Sequence, residues 1–309
     1  MLHPPSRQSP NMPEPLVDRH FLEKLERLTL GWNKSVRGLV GGHNISRFAG
    51  PGQEFLDHRS FHPGDDLRAV NWRAYMRFDK LFLKMFQVEP RVPVRLLLDT
   101  SGSMAAGGTA GADGVTKFDY ARKLAAALVY VGLVRLDSLL LQPFSARLAD
   151  PFLASGGRHR FQPAEIYLRE LKAGGKTSYL ETARQFLSEY PQRGLVIVIS
   201  DFLDDGDCFH PLQYIADFGH ELFLVQLWSR EDREPAGDGE LELIDAETAA
   251  RVKLNVDEEA RRAYTQAFDA HAAEIRKLAL RNGGRYAGFP TAIPLEDAIF
   301  GPLMMAPTA

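Results

Sequence analysis

The sequence predicts an α/β fold: a mostly parallel sheet with helices on both faces. Three observations carry that prediction. Residues 94–98, 195–199 and 222–228 are almost continuously apolar, as strands covered on both faces must be. Between them lie segments whose apolar residues recur at three- and four-residue spacing, the mark of helices with one buried stripe. From Val92 onward the two patterns alternate, which is the order that builds parallel βα units.

Residues 92–104, VPVRLLLDTSGSM, organise the chain. An apolar strand ends at Asp99, and hydroxyls follow at Thr100, Ser101 and Ser103 around Gly102. Ligands of open α/β sheets collect at the carboxyl ends of strands. Asp-x-Ser-x-Ser at such an end offers hard oxygen donors suited to a Mg²⁺-like ion.

In chain order, residues 1–16 include five prolines and few apolar groups, so a disordered arm is expected. A charged N-terminal segment over 17–91 opens with an amphipathic helix at 17–30. Pro63-Gly64 marks a turn, and Asp65 or Asp66 is placed to cap a helix through Tyr75. Trp72 is expected to be largely buried and to anchor residues 65–75 against the α/β domain. A strand follows at 81–88. The α/β domain covers 92–306. After Met104 a small-residue loop leads to a helix at 117–135 with Phe118, Ala121, Leu124, Ala125, Leu128 and Val131 on one stripe. Next come a strand at 138–143, an edge strand within 147–153, helices at 163–171 and 179–190, and the strand at 195–199. A helix at 210–218 stops at Gly219 before the strand at 222–228. Residues 240–255 read as an inserted hairpin. The helix at 257–281 places Ala260, Tyr264, Phe268, His271, Ile275 and Leu278 on one face and ends at Gly283-Gly284. A last strand (285–289) and helix (294–303) complete the domain.

The DTSGSM stretch resembles the metal-ion-dependent adhesion site of von Willebrand factor A domains. Such sites draw a Thr from a Gly-rich turn and an Asp from a later strand end. GGKTSYLETA supplies Thr177, and LVIVISDF supplies Asp201. The resemblance implies a von Willebrand A-like fold in which Asp99, Ser101, Ser103, Thr177 and Asp201 surround Mg²⁺ or Mn²⁺. Lys176 departs from the commoner Gly-Gly-Thr spacing and leaves Thr177 and Ser178 as alternatives, with Thr177 favoured. The string GQEFLDHRSFHPGDDLRAVNWRAYMRFDKLFLK, running into LLLDTSGSM, is similar to the domain-of-unknown-function family numbered 58. That resemblance implies a charged N-terminal segment joined to a von Willebrand A-like domain. It also implies an adaptor or chaperone-like role beside a MoxR-type AAA+ ATPase. Many members of that family carry N-terminal membrane helices; no such apolar segment is read here.

Charge and composition narrow the field. A net charge of −3 gives no global case for nucleic acid or an anionic membrane, and a lone cysteine, Cys208, fits a reducing, cytoplasmic setting. GGKTS imitates a phosphate loop, but Glu170 stands where that motif needs glycine. Asp204, Asp205 and Asp207 lack the alternation of a calcium loop. Arg59, Arg68, Arg73 and Arg77 are interleaved with Asp57, Asp65, Asp66 and Asp79, so internal ion pairs are expected rather than a nucleic-acid face. Cys208 with His210 is too sparse for zinc. The expected function is a non-enzymatic, metal-dependent interaction in which a partner's Asp or Glu completes the ion's coordination. One alternative is a metal-dependent phosphohydrolase using Asp99 as nucleophile, although Ser101 stands where its acid/base carboxylate belongs. The other is a scaffold with an unused site.

Overall fold

The structure, a computed structural model, describes residues 15–32, 46–49, 54–63, 65–88, 93–105, 115–134, 138–203, 206–234, 237, 239–244 and 251–303. The expected arm therefore lies almost wholly outside the described residues, as do residues 33–45 and 50–53. Two units divide the chain: Trp32–Val92, and the remainder, Met1–Gly31 with Pro93–Ala309.

Helix α1 (Arg19–Trp32) begins where Asp18 accepts the Phe21 N–H. Its spacing places Phe21 and Leu25, with Val17 just before it, in the core of the larger unit. Lys24 pairs with Glu296 at 2.7 Å. The boundary expected at residue 17 is thus corrected: α1 belongs with the α/β unit, because its buried stripe has its partners there.

The smaller unit is a three-stranded antiparallel sheet of β1 (Ser46–Ala49), β2 (Glu54–Ser60) and β3 (Phe82–Val88), in the order β1-β3-β2. Helix α2 (Trp72–Phe78) lies between the second and third strands. The single helix expected over 65–75 is instead broken in two. Asp66 caps a 3-10 turn at Leu67–Ala69, Val70 bridges to Leu83 in β3, and Asn71 caps α2 by accepting from Ala74 N. A buried Val70 drawn into extended pairing interrupts the helix. Trp72 is 55% exposed, so the expected buried anchor is also corrected; Val70 and Leu83 are buried in its place.

In the larger unit, β4 (Val94–Asp99) leads through the short α3 (Gly102–Ala105) to α4 (Lys117–Val134). Then follow β5 (Leu139–Phe144), β6 (Phe152–Ala154), α5 (Phe161–Glu170), α6 (Tyr179–Glu189) and β7 (Leu195–Ser200). Next come α7 (Phe209–Asp217), β8 (Glu221–Trp228), α8 (Arg230–Arg233) and an antiparallel hairpin of β9 (Gly239–Ile244) and β10 (Arg251–Val256). The long α9 (Glu258–Arg281), β11 (Arg285–Pro290) and α10 (Leu295–Ala298) finish the unit. Asp257 caps α9, and Gly283 at φ +69° ends it in a conformation that suits glycine.

The six-stranded sheet has the order β11-β8-β7-β4-β5-β6, parallel throughout except for the edge strand β6. This is the mostly parallel, two-sided sheet the sequence predicts. Successive residues of β4 point to opposite faces. Leu96 and Leu98 enter one core with α1, α4 and α5, and Leu97 enters the other with α6, α7 and α9. The chain leaves β4 for β5 on one side and later returns through β7 on the other. The carboxyl end of β4 is therefore the crevice where such sheets bind ligands. Among the described residues, no helix is long and apolar enough to cross a membrane.

Candidate metal centre

Asp99 ends β4 and is fully buried. One of its oxygens accepts from Ser101 N at 2.9 Å, and the other from Ser200 Oγ at 2.6 Å. Because Ser200 donates to Asp99, Tyr179 OH donates to Ser200, at 2.7 Å, and Phe202 N donates to it at 2.9 Å. The carboxylate is thus fixed through a chain of hydroxyls that starts on α6. Ser101 Oγ and Ser103 Oγ lie 3.0 Å apart, because the turn into α3 brings alternate side chains together.

Backbone hydrogen bonds carry the Gly-rich loop to this corner. Gly102 N donates to Gly175 O at 2.9 Å, and Gly174 N to Thr100 O at 2.8 Å. Gly175 has φ +85°, which favours glycine in this turn. Ser178 accepts from Glu181 N as the N-cap of α6, whereas Thr177 is buried. Ser178 thus serves as a helix cap, and Thr177 is the buried member of the pair. The loop follows helix α5 rather than a strand, so it has no phosphate-loop context.

Asp201 follows β7 and is also fully buried. Its Oδ1 accepts from Leu203 N at 3.2 Å, and its Oδ2 accepts from Lys117 Nζ at 2.7 Å. Lys117 opens α4, is 2% exposed, and also reaches Asp232 Oδ2 at 3.0 Å. Asp232 is held in turn by a capping box with Ser229 at the start of α8. Phe202 adopts φ +55°, a strained value for a non-glycine residue. Its ring stacks on Tyr179 with centroids 6.1 Å apart, and its carbonyl accepts from His271 Nε2 at 2.9 Å. Three elements therefore fix the turn that presents Asp201.

The electrostatics follow from burial. Burial, then the neighbouring Asp201 charge, pushes the Asp99 carboxyl up to about 7. Burial works against the Lys117 ammonium, but Asp201 and Asp232 outweigh it and raise its pKa. Burial, with Asp99 and Asp201 beside it, holds the Tyr179 hydroxyl well above its ordinary value, so it remains a donor.

The donor set fits a small hard cation. Octahedral Mg²⁺ with oxygens at about 2.1 Å has neighbouring ligands about 3 Å apart, which matches the Ser101–Ser103 separation. If Lys117 is counted with Asp232, Asp99 and Asp201 remain as two negative charges to balance a divalent ion. Among the described residues no group of three His, Cys, Asp or Glu side chains could hold a metal ion, so a cation here would depend on hydroxyl donors as well.

Other candidates have local roles. Asp207 accepts from Phe209 N at the start of α7 and pairs with His210, while Cys208 is buried; Asp204 and Asp205 lie outside the described residues. Arg59 pairs with Asp65 at 2.7 Å, an internal ion pair of the kind expected, and Asp65 has its pKa lowered by the His62 backbone N–H and by Arg59. His271 lies on the inner side of α9 as expected, half-buried, and holds a backbone carbonyl.

Sequence reasoning missed Lys117, Asp232, Ser200 and Tyr179. A signal for Lys117 was present: a cation in the first turn of a helix opposes the helix dipole, and this one shares the stripe of Ala121, Leu124 and Leu128. A lysine there calls for buried carboxylates.

The family model described as "Protein of unknown function DUF58" matches residues 57–274. An uncharacterized protein of Mycobacterium tuberculosis is 24% identical over 280 residues, covering 90% of this chain and 86% of its own. An uncharacterized protein of Mycobacterium bovis matches over the same span with the same identity. Among solved structures, the SpRpn10 VWA domain gives a TM-score of 0.39 at 11% identity, covering 67% of this chain and 93% of that one.

Proposed function

This chain belongs to the DUF58 family of proteins of unknown function, and from that premise we propose a metal-dependent protein-interaction role rather than an enzymatic one. One observation carries the reading: two buried carboxylates and paired hydroxyls meet at the switch point of a parallel sheet, with Ser101 and Ser103 Oγ at the spacing of adjacent Mg²⁺ ligands. Mg²⁺ or Mn²⁺ would be held by Asp99, Ser101, Ser103, Thr177 and Asp201. The ion would supply a Lewis-acidic position for an incoming carboxylate.

The chain's own residues do the rest. Ser200 and Tyr179 orient Asp99, and Leu203 N and Lys117 orient Asp201. Ser101 stands where a phosphohydrolase of the Asp-x-Asp type needs its proton-transferring carboxylate, which supports binding over turnover. The partner contributes an Asp or Glu. The family resemblance points to a MoxR-type AAA+ ATPase acting with this chain as an adaptor, and the proposed setting is cytoplasmic.

Thermal unfolding with Mg²⁺, Mn²⁺ or EDTA tests the site, because an ion bound only to the folded chain raises its melting temperature. A rise in the wild type that disappears in Ser101→Ala/Ser103→Ala is expected. An identical rise in both proteins would reject these ligands. Co-purification with candidate ATPases in Mg²⁺, in EDTA and with Asp99→Ala tests the partner. Equal capture in all three conditions would move docking away from the site.

A further inference from the structure

Lys117 and Asp232 stand at this corner without being ligands in the metal reading. The Lys117 ammonium is nine-tenths or more buried and lies between Asp201, itself a proposed ligand, and Asp232, which is not one. The three groups come from the start of α4, the end of β7 and the start of α8. We propose that Lys117 is a built-in counter-cation that sets the charge of the metal site and thereby its affinity and its ligand class. This inference rests on the metal reading above.

The charge count makes the case. With all three carboxylates ionised around a bound cation, Asp99, Asp201 and Asp232 against the Lys117 ammonium leave two negative charges. A divalent ion brings the loaded site to neutrality. Without the ammonium the loaded site would keep a negative charge and repel an incoming Asp or Glu. Lys117 therefore weakens metal binding, by occupying an oxygen of Asp201 and repelling the ion. In exchange the loaded site accepts an anionic partner. It also gives the buried carboxylates a counter-charge when no metal is bound, so folding does not wait for the ion.

Asp232 acts in the opposite sense. It draws the ammonium toward itself and adds negative charge, while making none of the contacts assigned to the metal ligands. The two residues are partners in one ion pair, yet removing them must change metal affinity in opposite directions. A pair that serves only to hold the helices together would not behave so. Losing either member would loosen the fold and move affinity the same way or leave it unchanged.

The test is Mn²⁺ titration followed by the electron-paramagnetic-resonance signal of the free ion, on full-length wild type, Lys117→Met and Asp232→Asn, with circular dichroism as a folding control. Lys117→Met is expected to bind Mn²⁺ at least about tenfold more tightly, and to gain more melting temperature from Mn²⁺ than the wild type does. Asp232→Asn is expected to bind it about tenfold more weakly. If Lys117→Met fails to fold without metal, folding on addition of Mn²⁺ supports the proposal, and Asp232→Asn carries the affinity measurement. Wild-type affinity in both folded variants, or shifts of the same sign, would overturn it while leaving the metal site intact. No Mn²⁺ binding in any of the three would overturn the metal reading and this proposal together.

Discussion

The two ends of the central sheet are made by the same strands and treat buried charge in opposite ways. At the carboxyl end, Lys117 sits between two carboxylates, and Asp99 accepts a hydrogen bond at each oxygen. At the amino end, Arg95 is buried near the start of β4, with its guanidinium over the rings of Phe186 and Tyr190 at 6.0 and 5.4 Å. Its Nη1 has no hydrogen-bond partner among the described residues. His220, just before β8, is buried beside it, its ring 5.5 Å from that of Phe186. One end neutralises charge with opposite charge; the other holds the Arg95 guanidinium by packing it against aromatic faces. The contrast separates a corner arranged for ionic chemistry from one arranged for structure.

The same substitution at both ends should break or sharpen that contrast. The largest effect is expected from Lys117→Met in EDTA, which leaves Asp201 and Asp232 without their counter-ion and costs about 3–5 kcal/mol in urea unfolding. A loss below about 1 kcal/mol would mean the ammonium is not the counter-charge there. Arg95→Met comes next: with no carboxylate left stranded, its stability should stay within about 1–2 kcal/mol of the wild type or rise. If Arg95→Met cost as much as Lys117→Met, the two ends would not differ as described.

The smallest effect concerns pH. Burial, with the Arg95 charge beside it, lowers the pKa of His220 below its ordinary value of 6.5. The folded chain therefore binds this proton less readily than the unfolded chain. The stability associated with neutral His220 is fully present above pH 6.5 and is lost as pH falls below that value toward the folded pKa. Unfolding free energies from urea titrations between about pH 7 and 5 should fall less steeply in His220→Phe than in the wild type, by at most about 1.4 kcal/mol per pH unit. Parallel curves would show that His220 titrates alike in both states.

The legible parts of the molecule were those governed by local pattern. Residues 195–199 carry no polar alternation, and β7 is indeed a covered strand with helical layers on both sides. Asp99, Ser101 and Ser103 are neighbours in sequence, so the strand-end turn brings their oxygens together without help from distant residues. The helix expected over 65–75 failed for the opposite reason. Its capping signals were real, but Val70 gains more by burial and by pairing with Leu83 than by continuing a helical turn. Likewise α1 reads as part of the N-terminal segment until Phe21 and Leu25 are seen among the residues of α4 and α10.

By itself the sequence determined the alternation of strands and helices, the strand-end aspartate with its hydroxyls, and the glycine stops of α7 and α9. These depend on periodicity and on backbone preferences that act over a few residues. Tertiary structure alone decided which buried charges meet. Lys117 and Asp201 are 84 positions apart and come within 2.7 Å only because α4 starts where β7 ends, at one corner of the sheet. Ser200 reaches Asp99 across 101 positions for the same reason. A buried ammonium is stable only beside carboxylates that share its burial, and which carboxylates those are is fixed by strand order rather than by spacing along the chain.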